Sequence, residues 1–597
     1  MNYRVVFVFL SVVASFLGVG MLFCAPWAAE ALGGDWRWEA RGVEGLLKGA
    51  ATSFAFSFAF FWAGRGADST RLFRKEAIAI VAFSWILAIF LGATPYIFGA
   101  AELRSGIPAT FVDAIFESAS GLTTTGATVF GELENPASLP RTLLFWRFAT
   151  HFIGGLGVMC FFVALIGQGA NGKTIMKLER GASGNAPFAK MRELAFSLFL
   201  IYVSLNVVCA ILFLCCGATL FDAIAHAFST VATGGFSSRN ASVGAFAADP
   251  NVNGGAFETV AIIFMIISST NYGLLYWCAV GRPGKLMRDV EWRAYLTILT
   301  AAIVVVFATG WASGDFRRFD ASPKVAESAQ IAESAETNDE IVLRGSSAVG
   351  DDKKTTGAAT AISASSGALT AEDAPTANAK NSEVAKKTGN SENDGVNSWT
   401  NALRASAFNV VSLASGAGFA TARYELWNST ALFALAFVMF WGGCSASTAG
   451  GAKIYRLVFI GKALALGAER AHSPNVVRAM RYNDEILEKE TLNSAFVYLV
   501  LAATAIFATI FATLCLEPDA PWADAAAPKV EKLADLAGGA LSMFSNVGPA
   551  FGKMGALENY GFLSAPTKFL YSCAMLVGRL EFWVVLAIFA PSFWRRR

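Results

Sequence analysis

The 597-residue chain has little charge and very little histidine: only 15% of its residues are Asp, Glu, Lys or Arg, and its three histidines, His151, His226 and His472, stand far apart. No two histidines have the close spacing that presents a pair of imidazoles to one metal ion. A membrane enzyme built on a metal centre therefore has little to work with, and His226 reads as a packed residue. The nine cysteines are scattered, mostly in apolar stretches, Cys24, Cys160, Cys209 and Cys573 among them. They lack paired metal spacing and read as small buried thiols. A Gly-rich phosphate-cradling fingerprint is missing too, so the chain is expected to bind no nucleotide itself. The formal net charge of +2 is close to neutral and gives no reason to expect a nucleic acid. Carboxylates within the apolar runs are few. A carrier coupled to protons or sodium, which would need them, stays open as an alternative, with Glu117 as its main candidate.

What is present is hydrophobicity: 55% of residues are hydrophobic and the mean hydropathy is +0.48. Apolar runs of about 20 residues, long enough to cross a hydrocarbon layer as helix, occur near 5–28, 44–64, 77–100, 140–168, 193–217, 256–281, 293–313, 429–460, 493–516 and 567–594. Ten spans are expected. The first could also read as a signal peptide, because "CAPWAAEA" follows its apolar core with small residues. The basic connections "RGADSTRLFRKE", "GKTIMKLERGASGNAPFAKMRE", "GRPGKLMRDVEWR", Lys453 to Arg481 and the terminal "RRR" fall on one side of a ten-span chain. By the positive-inside rule that side, with both termini, is expected to be the cytoplasm. From about 315 to 400 the chain turns polar and nearly free of aromatics. Such a stretch cannot bury enough apolar surface to order itself, and it is read as a disordered extracytoplasmic insertion.

Four segments align when a glycine in each is set at a common origin: "DAIFESASGLTTTGAT" at Gly126, "DAIAHAFSTVATGGFS" at Gly235, "ASAFNVVSLASGAGFA" at Gly418 and "DLAGGALSMFSNVGPA" at Gly548. Thirteen residues before the glycine stand Asp113, Asp222 and Asp535, with Ala405 the exception; six before it stand Ser120, Ser229, Ser412 and Ser542 without exception. The glycines are 109, 183 and 130 residues apart, and the middle interval contains the insertion. The chain is therefore a fourfold internal repeat, each unit a span, a short segment, a glycine stretch and a second span. The expected units are a helix pair at 1–70 and pore repeats at 71–170, 190–283, 290–460 and 490–597.

Each short segment, about ten residues long, is too brief to cross the bilayer and is predicted to be a half-helix capped by its aspartate. Its C-terminal end, with unsatisfied carbonyls, points at the glycine stretch. That stretch must be non-helical backbone at membrane depth, tolerated only where protein or a water-filled cavity shields it. Glycine permits the positive φ that turns successive carbonyls toward one axis. Four such loops would make a ring of oxygens able to replace an ion's water shell. The expected lining residues are Thr124, Thr125 and Gly126, then Thr233, Gly234 and Gly235, then Gly416, Ala417 and Gly418, then Asn546, Val547 and Gly548, with the hydroxyls of Thr124, Thr125 and Thr233 extending it. The alternative is helix packing through small residues.

The segments "SGLTTTGATVF", "HAFSTVATGGFS", "SGAGFAT", "NVGPAFG" and "AMLVGRLEFW" resemble the Trk/Ktr/HKT superfamily of potassium transporters, most closely its bacterial TrkH-type uptake subunits. The resemblance spans nearly the whole chain outside the insertion. It departs at "SLASGAGFA", where Gly416 stands in place of the usual threonine, and in the insertion itself. It implies an all-α fold of four pseudo-symmetric repeats around one pore plus an N-terminal helix pair, with K+ as the transported ion. It also implies a multi-pass protein of the bacterial inner membrane, a homodimer, and a cytosolic ring of nucleotide-binding regulatory subunits of the RCK/TrkA-like kind. The stretch "GGCSASTAGGA" at 442–452 cannot hold a regular helix. The resemblance makes it an intramembrane gate formed by Gly442, Gly443, Ser445, Ser447, Thr448, Gly450 and Gly451; otherwise it is a packing kink. Arg579, deep in the last span, is implied to be an electrostatic barrier below the filter, or else one half of a structural ion pair. Glu581 follows it too closely to share its helix face.

Overall fold

The computed structural model describes residues 1–66, 74–166, 191–318, 399–476, 478–483, 485–487 and 489–595. It divides into two units, Met1–Phe319 with Ala402–Arg597, and Asp320–Asn401. Of the polar insertion expected at about 315–400, residues 319–398 lie outside the described residues, but its edges are helical, in Asp315–Arg318 and at the start of Trp399–Ser415, with Asp315 accepting from the Asn428 N–H at 2.8 Å. The first unit is a helical bundle interrupted by two small hairpins, Glu102–Arg104 with Ile107–Pro108 and Arg481–Tyr482 with Glu485–Ile486.

Seven helices among the described residues are long and apolar enough to cross a membrane: Tyr3–Ala28, Trp36–Ala63, Lys75–Phe98, Phe196–Cys215, Val290–Ser313, Lys489–Leu516 and Ala565–Phe589. A bent pair, Gly254–Ser268 with Tyr272–Ala279, makes an eighth. The remaining two expected positions hold the 26-residue helix Arg141–Ile166 and a helix that stops after 13 residues, Ser429–Trp441, to resume as Ile454–His472. The protein is a polytopic, all-α membrane protein. Side chains such as Phe58, Phe433, Phe507 and Phe511, each more than 70% exposed, sit on outward faces that hydrocarbon solvates. The same geometry corrects the reading of the cysteines: Cys24, Cys209 and Cys444 are buried, but Cys215, Cys515 and Cys573 are exposed. Exposure on a spanning helix faces lipid, which an apolar thiol tolerates.

Where a helix inside the bundle is broken, the freed backbone group is satisfied locally, as a membrane requires. Pro95 lies inside the helix Arg74–Phe98 and has no N–H for the carbonyl four residues back. That carbonyl, of Leu91, accepts instead from the Thr94 hydroxyl at 2.6 Å. The freed turn packs closely on the second helix, where a Cβ on Gly45 would stand 2.6 Å from the Pro95 carbonyl oxygen. Small residues on one helix face thus bring two backbones together. The first helix belongs to the same core through Ala14, Leu17 and Met21.

All four short segments form helices: Phe111–Leu122, Leu220–Val231, Trp399–Ser415 and Pro528–Ser545. Their N-termini differ from expectation. Thr110 and Thr219 are the caps of the first two, and Asp113 and Asp222 stand in the first turn, where Asp113 completes a capping box by accepting from the Thr110 N–H at 2.9 Å. The last two helices run for 17 and 18 residues, not about ten. Asp535 therefore lies well inside its helix and accepts from the Trp522 indole at 2.8 Å. Alignment by side chain placed the aspartates correctly but could not reveal that the helices begin at different points.

The span expected at 256–281 is bent by 104°. Asn271 caps the second arm by accepting from the Gly273 N–H at 2.8 Å, and Ser269 donates its hydroxyl back to Met265. Local side-chain acceptors and donors thus replace the helical ladder over three residues.

Candidate functional site

The four glycine stretches share one backbone. Gly126, Gly235, Gly418 and Gly548 all have positive φ, at 83°, 85°, 70° and 100°. Two residues earlier, Thr124, Thr233, Gly416 and Asn546 are also left-handed, at 52°, 54°, 78° and 54°. The intervening residues, Thr125, Gly234, Ala417 and Val547, are not. Three of the four left-handed positions before the glycine bear side chains, a strain that persists only where the surroundings hold it. Gly416 takes the same conformation at no such cost, so its departure from threonine keeps the backbone and removes a side chain.

Each loop is tied to its half-helix in the same way. The N–H one residue before the glycine donates to the carbonyl of the repeated serine: Thr125 to Ser120 at 2.8 Å, Gly234 to Ser229 at 2.7 Å, Ala417 to Ser412 at 2.9 Å and Val547 to Ser542 at 3.1 Å. This bond closes the last turn of each half-helix and explains a serine column legible in the sequence, although it is the serine backbone that bonds.

The loops close on one another in chain order. A Cβ built on Gly126 would strike the carbonyl oxygen of Gly234; on Gly235, that of Ala417; on Gly418, that of Val547; and on Gly548, that of Thr125. First meets second, second meets third, third meets fourth and fourth meets first. The loops therefore surround a common axis, and the oxygens they press toward each glycine all come from the residue before the neighbouring glycine. Three positions in four loops present twelve carbonyls. Among the described residues no hydrogen bond reaches eleven of them; the exception is Gly548. Buried carbonyls without donors are uncommon, and a ring of them suits a cation.

The hydroxyls contribute less than expected. Thr125 Oγ1 is bonded to Thr123 Oγ1 at 2.7 Å and accepts from the Asn546 amide at 2.9 Å, while Thr233 Oγ1 donates to the Ala232 carbonyl at 2.6 Å. Only the Thr124 hydroxyl, of these three, has no partner among the described residues.

Side chains behind the ring fix it in place. Glu117 is fully buried and accepts from the Val129 N–H at 3.0 Å and from Arg147 Nε at 2.6 Å. Its carboxylate is committed to these partners and faces no solvent among the described residues. Arg147 lies 3.9 Å over the Phe236 ring, and His151, one turn further along the same helix, stacks on that ring at 4.2 Å. One ion pair thus braces the first loop and, through Phe236, the second. The equivalent position in the second repeat is His226, whose Nε2 is 3.1 Å from Ser237 Oγ, and in the third Asn409, which donates to Thr421 Oγ1 at 3.2 Å. This column, nine residues before each glycine, was visible in the aligned segments; its role was not, because Glu, His and Asn share no single chemistry. His226 is packed among Phe148, Phe246 and Phe257 as expected. Past the first loop Glu132 gathers Ser105, Ser138 and Asn135. Burial alone would raise its carboxyl, but these donors outweigh it and hold it below its ordinary value.

The stretch 442–452 is non-helical and packs beneath the ring. Gly442, Ala446, Gly451 and Lys453 are left-handed. The loop lies on the bend of the broken span, with the Cys444 N–H donating to Ser269 at 2.9 Å and Ala446 accepting from the Tyr272 N–H at 3.1 Å. On its other side Thr448 Oγ1 donates to Val231, the last residue of the second half-helix, at 3.2 Å. A Cβ on Gly450 would strike the Ser545 carbonyl at the end of the fourth half-helix. The loop is anchored by Glu291, whose carboxylate accepts from the Ser445 N–H and hydroxyl, both at 2.6 Å, and from the Tyr455 N–H at 3.2 Å. Sequence reasoning missed Glu291, since an acid in the first turn of a helix reads as a helix-end charge. Arg579 donates to the Thr448 carbonyl at 2.8 Å, and its Nε and Nη2 have no partner among the described residues. Glu581, where the last helix kinks at φ 60°, pairs instead with Arg456 at 3.0 Å. Arg579 is therefore not half of a structural ion pair among the described residues.

Residues 46–312 and 390–596 match the family model TrkH, described as a cation transport protein. The chain is 28% identical over 550 residues to the Trk system potassium uptake protein TrkH of Salmonella typhimurium, covering 91% of this chain and 90% of that one. It is 27% identical, with the same coverage, to the protein of that name from Escherichia coli. The crystal structure of the potassium transporter TrkH from Vibrio parahaemolyticus superposes over 100% of both chains with a TM-score of 0.73 at 23% identity, a likeness of fold. The chain belongs to the TrkH family of cation transport proteins.

Proposed function

We propose that the protein is a potassium-uptake subunit that passes K+ along the axis of the four loops. The observation that carries this reading is the closed ring, in which every glycine faces the carbonyl of the next loop. Carbonyls held at fixed separation replace the water shell of an ion. The lining residues are Thr124 to Gly126, Thr233 to Gly235, Gly416 to Gly418 and Asn546 to Gly548, with four half-helix C-termini lending partial negative charge. The loop from Gly442 to Gly451 is the gate. Arg579, with two unpaired nitrogens beside Thr448, is the electrostatic barrier that keeps cations from crossing while the loop is in place.

The same reading places the protein in a bacterial inner membrane with both termini cytoplasmic, working as a homodimer under a cytosolic nucleotide-binding subunit of the RCK/TrkA-like kind. The relatives named above are components of a Trk system, and several parts fit that name. The test is flux in liposomes carrying this chain alone. K+ and its analogue Rb+ should move down their gradients without ATP or a pH gradient, and faster than Na+. Flux that requires a pH gradient, or that does not distinguish K+ from Na+, would sink the proposal.

A further inference from the structure

We propose that Tyr560 is a specificity-determining residue that withdraws one carbonyl from the ring, an inference that rests on reading the four loops as an ion filter. Of the twelve loop carbonyls only that of Gly548 accepts a hydrogen bond among the described residues, from the Tyr560 hydroxyl at 2.7 Å. Tyr560 is 1% exposed. It stands between Phe116 and Tyr571, with ring centroids 5.6 and 6.2 Å away, and its own N–H donates to Thr128 at 2.8 Å. The phenol is thus fixed behind the first and fourth loops and cannot follow an ion. In the fourth loop Gly548 has φ 100°, against 83°, 85° and 70° in the other three. Pro549 follows it, where Ala127, Phe236 and Phe419 follow the others.

A carbonyl oxygen engaged by a phenol has one lone pair committed and less negative charge to offer. The glycine level of the ring therefore presents three free oxygens and one that is shared. A large, weakly hydrated cation such as K+ depends on the full set of protein oxygens, whereas Na+ retains water more readily and loses less. Tyr560 accordingly lowers discrimination between the two ions.

Tyr560→Phe removes a single oxygen and keeps the ring packing. Measured as reversal potentials or bi-ionic flux in liposomes, Y560F should raise the K+-to-Na+ permeability ratio by at least about twofold, the equivalent of one modest hydrogen bond. Tyr424→Phe is the control, because its hydroxyl donates at 3.3 Å to Ala550, two residues beyond the ring; it should leave the ratio unchanged. A second readout does not need transport: the thermal midpoint of the detergent-solubilised protein in KCl minus that in NaCl should be larger for Y560F than for wild type. An unchanged ratio together with an unchanged midpoint difference overturns the inference, as does an equal rise in Y424F. If wild-type protein itself fails to distinguish K+ from Na+, the filter reading falls instead; wild type that selects K+ beside an indistinguishable Y560F condemns Tyr560 alone.

Discussion

The glycines of the ring are constrained twice, once by their own φ and once by a neighbour. Positive φ costs an L-residue roughly 1–2 kcal/mol, which serine could survive. The second constraint is steeper, because a Cβ on Gly235 or Gly418 would strike the carbonyl oxygen of Ala417 or Val547 in the next loop. A substitution at one position must therefore displace an oxygen contributed by another repeat. Gly235→Ser and Gly418→Ser are each expected to lower the K+-to-Na+ permeability ratio several-fold in a bi-ionic assay. The right control is Gly461→Ser, at a helical glycine where an added Cβ meets open space. Gly442, outside the ring, would not serve, since it has φ 67° and a Cβ there would strike Gly450. Equal ratios in both ring variants and the control would remove the shared ring.

Broken helices decide the element scale. The second spans of the last three repeats are each interrupted, at Ser269–Asn271, at Gly442–Lys453 and at Glu581. The first two breaks are joined by the hydrogen bonds from Cys444 and to Ala446, and the intramembrane loop rests on that seam. Its firmest hold is Glu291, which takes three donors from the loop and its exit. An intramolecular hydrogen bond contributes about 0.5–1.5 kcal/mol, so releasing all three shifts an open–closed balance about tenfold or more. Glu291→Ala and, less strongly, Ser445→Ala are expected to raise K+ flux through the chain alone while leaving the K+-to-Na+ ratio unchanged. Shortening 442–452 should do the same. Flux that stays level or falls in well-inserted variants would argue against a gate.

At the scale of the whole molecule, four unequal repeats each contribute one loop to the ring. The third interrupts its connection between span and half-helix with the polar stretch near 315–400, whose composition gives it no core to bury. It flanks none of the twelve ring positions in sequence. Replacing 321–396 with a short Gly/Ser linker is therefore expected to leave K+ flux within about twofold of wild type, since the free-energy cost of closing a connection grows only slowly with its length. Severe loss in correctly inserted protein would show that the insertion takes part in transport or assembly.

Hydropathy and a fourfold alignment were enough to reveal a polytopic helical protein, the four half-helices and the four glycines, because those features depend on local chemistry: apolar length, backbone freedom and residues recurring at fixed offsets. The repeated serine was legible as a column, and the break at 442–452 as a run of small residues. The bend at Ser269–Asn271, the pairing of Glu117 with Arg147, the anchoring of the loop on Glu291 and the tie between Tyr560 and Gly548 were not. Each joins groups from different elements or different sides of a loop, and neither partner carries a mark of the other in its own neighbourhood. Sequence by itself determined which backbone could turn its carbonyls inward. Only the tertiary structure decided which oxygens remain free, because a carbonyl's availability depends on what packs behind it.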